Sequence, residues 1–302
     1  MSVITTGNAP KLLWPGLNAV WGQGYDEHPK EYTDLFDTET SDKNYEEDVE
    51  MTGFGLAPVK PQGSSIVYDT DNQQTVTRYQ HVAYALGFIL TEEEFDDNLY
   101  ESRGVNRTRA LAFSMRQTKE NVAANIYNRG FDVAYTGGDG QPLFSASHPT
   151  LSGNQSNLLT GADLSEASLE DACIAIMQAR NSRGLKIALM AKSLHVAPQN
   201  HFNATRILKS VLQNDTADNA VNALRANGLF PEGAKVNHYF TDADAWFVRT
   251  NIPTAGMTMF QRKKATFAQD GDFDTSNLKY KAYERYSVGW SDWRAAWGNA
   301  GA

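Results

Sequence analysis

Six histidines are the side chains best suited to acid–base or metal chemistry near neutral pH, and they are spread along the whole chain. They form no HExxH motif, and none stands at a metal-ligand spacing from the single cysteine, Cys173. His195 and His201 are the nearest pair, but Pro198 separates them at the junction of a predicted strand and a predicted helix. We therefore predict no metal site among the six, which are His28, His81, His148, His195, His201 and His238.

Five carboxylates between residues 92 and 97 are dense enough to suggest a general acid and a general base. No partner base or nucleophile accompanies them in the sequence. Thr91, followed three residues later by Glu94, is typical of a helix capping box, and the helix dipole favours negative side chains in a first turn. Helix capping therefore explains most of the group, which comprises Glu92, Glu93, Glu94, Asp96 and Asp97.

The remaining candidates also have simpler structural explanations. Gly137, Gly138 and Gly140 lack the lysine and the following helix of a phosphate-binding loop, so they predict a turn. Cys173 falls on the apolar face of a predicted helix, which indicates a core thiol and not a nucleophile. Five basic side chains are more typical of a solvated strand face than of a phosphate site: Lys263, Lys264, Lys279, Lys281 and Arg285. The sequence thus predicts no catalytic, cofactor-binding or metal-binding residue and no enzyme activity.

Length and composition are those of an ordinary folded chain. It has 302 residues, of which 41% are hydrophobic and 21% charged, which excludes wholesale disorder and collagen-like repeats. A single cysteine cannot form an internal disulfide, as expected for folding in a reducing cytoplasm. The first ten residues have neither the basic start nor the apolar run of a signal peptide. The longest nearly apolar stretch, residues 82–90, is too short to span a bilayer.

The negative charge is concentrated at the N-terminus. Residues 1–50 carry 3 basic and 11 acidic side chains, which accounts for most of the net charge of −9. They show no sustained helical or strand period but contain large apolar groups such as Trp14, Trp21 and Tyr25. A plain disordered tail would be poor in aromatic residues, so we predict an extended arm that lies on its own body or on a neighbouring copy.

The next part of the chain predicts a hairpin and a long helix. Residues 64–69 and 75–81 are β-branched and aromatic runs around a polar turn, and the apolar residues 82–90 predict a buried strand or the approach to a helix. Helical spacing then extends over residues 92–129, with Gly104 as a possible break and Gly130 as the stop. A helix of this length would be an extended structural support, here called the spine helix, and not part of a compact globular core. The glycine-rich residues 131–165 predict a long connection able to reach another subunit.

The second half predicts alternating helices and strands. Ser165 predicts the cap of a helix that extends to Arg183, and Asn200 the cap of a helix that extends to Ser210. From Leu278 onwards, alternate residues are mainly apolar, which predicts a long strand. Shorter strands are predicted at residues 185–190, 193–198, 236–241, 245–250 and 257–267. This order predicts an α+β fold whose first and last thirds share a sheet.

The order of these segments resembles that of the major capsid (head) proteins of tailed bacteriophages, in the group that includes Mu-like head subunits. The segments that resemble the family are, in chain order, the acidic arm, SSIVYD and TVTRYQH, YALGFILTEEEFDDN, QPLFSASHP, SLHVAP with the following RILKS, and KYKAYERYSVGWSDWRAAWG. Together they cover nearly the whole chain. Each is weak on its own, and the order is the specific part.

The resemblance implies the tailed-phage major capsid fold with four parts. These are an N-terminal arm (1–50), an E-loop hairpin (51–90), a peripheral P-domain with the spine helix (91–164 and 253–302), and an axial A-domain (165–252). It also implies a structural subunit that assembles as hexamers and pentamers into an icosahedral head around double-stranded DNA. The expected location is the virion, after assembly in the bacterial host cytoplasm, with no membrane partner.

Further partners implied by the resemblance are scaffold, portal and decoration proteins, together with non-specific contact to packaged DNA on the inner surface. Because the arm begins near Met1, any scaffold is expected to be a separate protein. Lys60 is the only lysine of the E-loop, and no motif supports a covalent cross-link there. The alternatives are an encapsulin shell, which resembles the same fold but encloses protein cargo, a tail or portal component, and an enzyme of unknown type.

Overall fold

The structure is a computed structural model that describes residues 10–91, 93–94, 103–213, 220–252, 256–272 and 276–302. Within these residues the helices are α1 (Pro10–Asp26), α2 (Tyr32–Leu35), α3 (Val105–Asn128), α4 (Glu166–Met177), α5 (His201–Lys209) and α6 (Ala223–Ala226). The strands are β1 (Asp37–Thr40), β2 (Tyr45–Met51), β3 (Gln73–Gln80), β4 (Val82–Leu90), β5 (Ala191–Val196), β6 (Ala234–Val236), β7 (Trp246–Thr250), β8 (Met257–Gly271), β9 (Leu278–Trp290) and β10 (Ala296–Asn299). The mixture of helices and sheets agrees with the α+β prediction.

Two four-stranded sheets and one hairpin organise the chain. The first sheet has the order β1-β8-β9-β4, so strands from the first and last thirds share it, as predicted. The second sheet has the order β10-β7-β5-β6, and β2 pairs with β3 in a separate hairpin. Strand β1 is parallel to β8, whereas β9 is antiparallel to both of its neighbours, β8 and β4. The C-terminal residues therefore contribute to both sheets.

Strand β9 follows the alternation expected from its sequence. Tyr280, Ala282, Glu284 and Tyr286 are buried on one face, which packs towards α3, while Lys279 and Lys281 are exposed on the other. Strand β4 lies at the edge of this sheet and is mostly exposed, so the prediction of a buried strand was wrong. Its apolar residues have a neighbouring strand on one side only.

The N-terminal segment corrects the prediction of an extended arm. Residues 10–26 form the helix α1, which packs on α3, and Leu17 and Trp21 are buried. The Trp21 ring stacks on that of Phe267 with centroids 5.3 Å apart. Leu17, Trp21 and Tyr25 recur every four residues and therefore share one helix face, a signal that the frequent glycines obscured.

The hairpin was predicted with the wrong first strand. Strand β3 pairs with β2, so residues 45–51 are its partner, and residues 64–69 belong to the loop between them. Val76 pairs with Val49, and Arg78 lies opposite Glu47 in a salt bridge of 2.7 Å. Opposite charges and β-branched residues facing one another across the two strands favour this register.

The spine helix is shorter in the described residues than the 38 predicted. Helix α3 has 24 residues, or about 36 Å, and begins directly after Gly104, where the backbone makes a π-turn. The Glu94 N–H donates to Thr91 Oγ1 at 3.3 Å, as a cap requires, but the Glu94 carboxylate bonds Arg107 at 2.9 Å. Glu92, Asp96 and Asp97 lie outside the described residues.

Gly130 follows the end of α3, but its backbone is not left-handed, so the predicted stop mechanism was wrong. A Cβ atom at Gly130 would lie 2.6 Å from the Phe144 ring, which explains why only glycine fits there. The connection after it folds onto the chain's own core. The Asn157 side-chain amide donates to the carbonyls of Leu143, Trp293 and Ala296 at 2.7–3.1 Å. Asn157 thus fixes part of this connection to the chain's own core, and its contact with another subunit stays a prediction.

In the second half, Ser165 caps α4 as predicted, but the helix ends at Met177 and not at Arg183. Residues 185–190 form no strand apart from a single bridge between Lys186 and Arg180. Residues 198–200 form a short 3₁₀ turn, and the Asn200 side chain donates to the Ala243 carbonyl instead of capping α5. The strand predicted at 236–241 was wrong, because β6 ends at Val236 and residues 237–241 contain a turn.

Candidate interaction surface

The hairpin of β2 and β3, with its loop of residues 52–72, is the most exposed apolar feature that the structure describes. One end is fixed to the body by Tyr79. Its ring packs edge-on against Phe260 with centroids 4.9 Å apart, and its hydroxyl lies 2.6 Å from Ser291 Oγ. Burial raises the pKa of Tyr79, so the hydroxyl stays protonated. This contact places the hairpin over the first sheet.

His81, between β3 and β4, forms the second attachment. Its Nδ1 lies 2.9 Å from Ser287 Oγ, and its Nε2 lies 3.0 Å from Ser41 Oγ. Burial and the nearby Arg285 guanidinium lower the pKa of His81. The ring is thus a buried structural bridge between the N-terminal segment and β9, and not an acid or base exposed to a substrate.

Glu50, near the end of β2, ties the hairpin to a more distant part of the chain. Its carboxylate accepts hydrogen bonds from Ser182 Oγ at 2.6 Å, Thr75 Oγ1 at 2.9 Å and Arg294 at 3.3 Å. Arg294 in turn donates to the Arg180 carbonyl at 2.8 Å. Ser182 and Arg180, both in the turn after α4, therefore support the base of the loop.

Two aspartates order the loop itself. Asp71 accepts from Thr52 Oγ1 at 3.1 Å and from the Gly53 N–H at 2.8 Å, which closes the base. Asp69 accepts from the Gly55 N–H at 2.7 Å and pairs with Arg183 at 3.1 Å. Backbone hydrogen bonds from Gly55 and Thr70, with the Arg183 charge, lower the pKa of Asp69. The loop is held mainly by the side chains of these two aspartates and not by a strand ladder.

The tip of the loop is apolar and exposed. Val59 is 93% and Tyr68 is 89% exposed, and a cleft of about 890 Å³ lies between the two limbs. The exposed apolar residues of the hairpin and its loop are Tyr45, Val49, Met51, Phe54, Leu56, Val59, Ile66, Val67, Tyr68 and Val76. Exposed apolar side chains concentrated in one hairpin are typical of a protein interaction site, because leaving them in water is unfavourable.

Those residues singled out in the sequence that the structure describes do not come together at one site. His148 lies 2.5 Å from Asp139 and 3.0 Å from Asn157, and its ring stacks on Trp293. His195 is buried beside Ser193 Oγ at 2.8 Å, and burial lowers the pKa of His195 to about 3. No group of three or more His, Cys, Asp or Glu in the described residues could hold a metal ion.

Cys173 is buried in the second core, and burial raises the pKa of its thiol to about 11, as a core position predicts. Gly137 and Gly140 form a turn in which the Gly140 N–H donates to the Gly137 carbonyl at 3.1 Å. A Cβ atom at Gly137 would meet the Trp290 indole at 2.7 Å, so packing also requires glycine there.

The five basic residues lie in the paired strands β8 and β9, as predicted. Lys263 pairs with Arg285 across the ladder, and its Nζ lies 5.0 Å above the Tyr283 ring. Lys279 bonds Asp272 at 2.5 Å. Lys264 and Lys281 are exposed, without an ion pair among the residues described. Their arrangement is that of a solvated strand face.

A buried polar cluster was missed in the sequence. Arg116, Lys119 and Glu120 lie on α3 and are almost fully buried, and Lys119 pairs with Glu284 of β9 at 2.5 Å. The signal was present, because these residues share a helix face with the buried Met115 and Ala123. Charged residues on an apolar face indicate ion pairs inside the protein.

The mixed fold of helices and sheets carries an exposed apolar hairpin, which is a surface suited to contact with another protein. A sequence model of the family described as phage capsid protein matches residues 74–299. This match covers most of the 302 residues, so the chain belongs to the phage capsid protein family. No curated protein matches the sequence. No helix among the described residues is both long and apolar enough to cross a bilayer.

Solved structures show the same fold at low sequence identity. The virus-like particle from Pyrococcus furiosus is 12% identical with a TM-score of 0.57, over 94% of this chain and 98% of that one. The mature capsid of bacteriophage PhiM1 is 12% identical with a TM-score of 0.55, over 87% and 84%. Mycobacterium phage Che8 is 14% identical with a TM-score of 0.52, over 90% and 92%. The predicted capsid fold and family are thereby confirmed, whereas the Mu-like subgroup stays a prediction.

Proposed function

We propose that this capsid protein assembles as hexamers and pentamers into the icosahedral head of a tailed phage around double-stranded DNA. The main support for this proposal is the exposure of the apolar hairpin loop. The loop is attached to the body at its base, but Val59 and Tyr68 remain in solvent. A neighbouring copy of the chain is the partner that buries this surface, because contacts of this kind are gained only on assembly.

The proposed parts keep the boundaries expected from the sequence. Residues 1–50 are the N-terminal arm, now with a helix, and residues 51–90 the E-loop. The P-domain comprises 91–164 and 253–302, and the A-domain 165–252. Scaffold, portal and decoration proteins are the further partners, with non-specific contact to DNA on the inner surface. Assembly takes place in the cytoplasm of the bacterial host.

The test compares assembly of the unchanged chain with that of a loop variant. We expect negative-stain electron microscopy and a sizing column to show closed shells, or hexamers and pentamers, for the unchanged chain. Val59→Asp should remain small, with unchanged thermal stability, because the residue contacts solvent in the free chain. Val133→Asp, at another exposed apolar position, should still assemble. An unchanged chain that stays a monomer or dimer at all concentrations, with or without a scaffold protein, would overturn the proposal.

An encapsulin-type shell is the second candidate, supported by the fold shared with the Pyrococcus furiosus virus-like particle. Both candidates predict shells, so their contents decide between them. Nucleic acid inside native particles supports the phage head, and an enclosed enzyme supports the encapsulin.

A further inference from the structure

The polar cluster beneath the N-terminal segment has a feature that packing alone does not explain. Arg116 and Glu120 lie one turn apart on α3, and both are about 1% exposed. They do not pair with each other within 4 Å. Lys119, between them in the sequence, is already paired with Glu284. Two buried charged side chains are therefore left to interact with the chain that covers them.

That covering chain is the connection from α1 to α2. The Arg116 guanidinium donates to the Tyr25 carbonyl at 2.9 and 3.1 Å, and Glu120 Oε2 accepts from the Tyr32 N–H at 2.8 Å. Both ends of residues 25–32 are thus attached to α3 through backbone groups. Because the covering segment contributes only backbone groups to these bonds, substitution of its side chains would leave them in place. Substitution of Glu120 removes the bond to the Tyr32 N–H.

Each of the two side chains also has one buried atom without a hydrogen-bond partner. These atoms are Glu120 Oε1 and Arg116 Nη1. A buried charge that is only partly satisfied carries a large desolvation cost, and water would satisfy both atoms if the segment moved away. The docked position is therefore opposed by the charge of Glu120 and favoured when that charge is removed.

We propose that Glu120 is a proton-operated latch, which holds residues 27–32 on the spine helix when protonated and favours their release when ionised. The release is a local opening of the N-terminal segment within the subunit. It does not depend on shell formation.

The groups around Glu120 set the direction of this response. Burial raises the pKa of Glu120 to about 7, opposed by the Tyr32 N–H bond and by the Arg116 charge. The Glu31 carboxylate raises this pKa further, and Lys119 lowers it. Glu284 and Tyr286 face the cluster from β9, and Tyr239 from the turn after β6.

In the open state the Glu120 carboxyl is exposed to solvent, and its pKa returns to the ordinary value near 4.5. Between these two values the docked state binds one more proton than the open state. Raising the pH in this window therefore favours opening, by up to about tenfold per unit, and the effect ends above the docked value.

Hydrogen–deuterium exchange of the unassembled full chain tests the latch at pH values from 5 to 8. After correction for intrinsic exchange, we expect protection of residues 27–32 to fall several-fold up to about pH 7. Glu120→Gln keeps an acceptor for the Tyr32 N–H without the charge, so its protection should be high and independent of pH. Glu27→Gln changes an exposed carboxylate in the same segment and should behave like the unchanged chain.

Protection that does not vary with pH in the unchanged chain would overturn the proposal. The same would follow if Glu120→Gln kept the pH dependence. Glu120→Leu removes the acceptor as well as the charge and should lower protection of the Tyr32 amide at every pH. In the unchanged chain and in each variant, hydrogen-exchange protection of the β9 amides shows whether the chain remains folded.

Discussion

Lys119 and Glu284 form an ion pair with an Nζ–Oε1 distance of 2.5 Å, and their side chains are 2% and 0% exposed. The other Glu284 oxygen accepts from the Tyr25 hydroxyl at 2.8 Å. One buried carboxylate therefore joins α1, α3 and β9, which lie far apart in the sequence. Burial, and secondly the Glu284 charge, raises the pKa of Tyr25, so the phenol remains a donor.

Removing one member of this pair should destabilise the chain strongly. Lys119→Met leaves Glu284 buried without its counter-charge, so we expect a loss of about 3–5 kcal/mol in the free energy of unfolding. Urea denaturation of the unassembled subunit measures the change. The double variant Lys119→Met with Glu284→Leu should recover part of the loss, because it leaves no buried charge unpaired. A single-variant loss no larger than that of the exposed change Lys186→Gln would contradict this prediction.

A glycine in β10 provides a test of packing. A Cβ atom at Gly298 would lie 2.7 Å from the Phe144 ring, so Gly298→Ala should cost about 1–3 kcal/mol. Gly16 in α1 has no described atom outside its own helix backbone within 4 Å of its Cβ position, and there the same change should stabilise by up to about 1 kcal/mol. Thermal denaturation of both variants measures the difference. Equal effects of the two substitutions would show that the ring is free to move.

The parts that the sequence predicted well are those with a regular period. The alternation from Leu278 placed β9 and its buried face correctly, and Ser165 marked the start of α4. Both depend on neighbours within a few residues. The family was also predicted correctly, from the order of the segments and not from any single motif.

The parts predicted wrongly depend on distant contacts. Strand β2 was missed because its residues gain their pairing only from β3, more than twenty positions away. The helix α1 was missed because its glycines interrupt the pattern, although Trp21 finds its partner in Phe267. The attachment of the loop by Asp69 and Arg183 joins residues 114 positions apart, which no local pattern reveals. The sequence predicted an exposed hairpin in this region, but not the residues that anchor it.

His195 should contribute to loss of stability in acid. Its folded pKa of about 3 lies below the ordinary value of 6.5, so the unfolded chain binds one more proton between these values. Stability is therefore complete above pH 6.5 and falls as the pH falls towards 3. With His195→Gln, the loss between pH 6 and pH 4 should be smaller by roughly 2 kcal/mol. Urea denaturation at both pH values measures this loss in the free energy of unfolding. Ser193→Ala keeps the ring and should retain the full acid loss, and identical losses in all three chains would disprove the assignment to His195.

The link between Arg183 and the loop should control its order without affecting the core. Arg183 pairs with Asp69 at 3.1 Å and also donates to the Thr70 carbonyl, whereas Asp71 holds the base independently. Arg183→Gln should therefore increase chymotrypsin cleavage after Tyr68 several-fold while the denaturation midpoint stays unchanged. The exposed Lys186 lies in the same segment, and Lys186→Gln should leave cleavage as it is. Equal cleavage in the two variants would mean that Asp71 and the β2–β3 ladder are sufficient to order the loop.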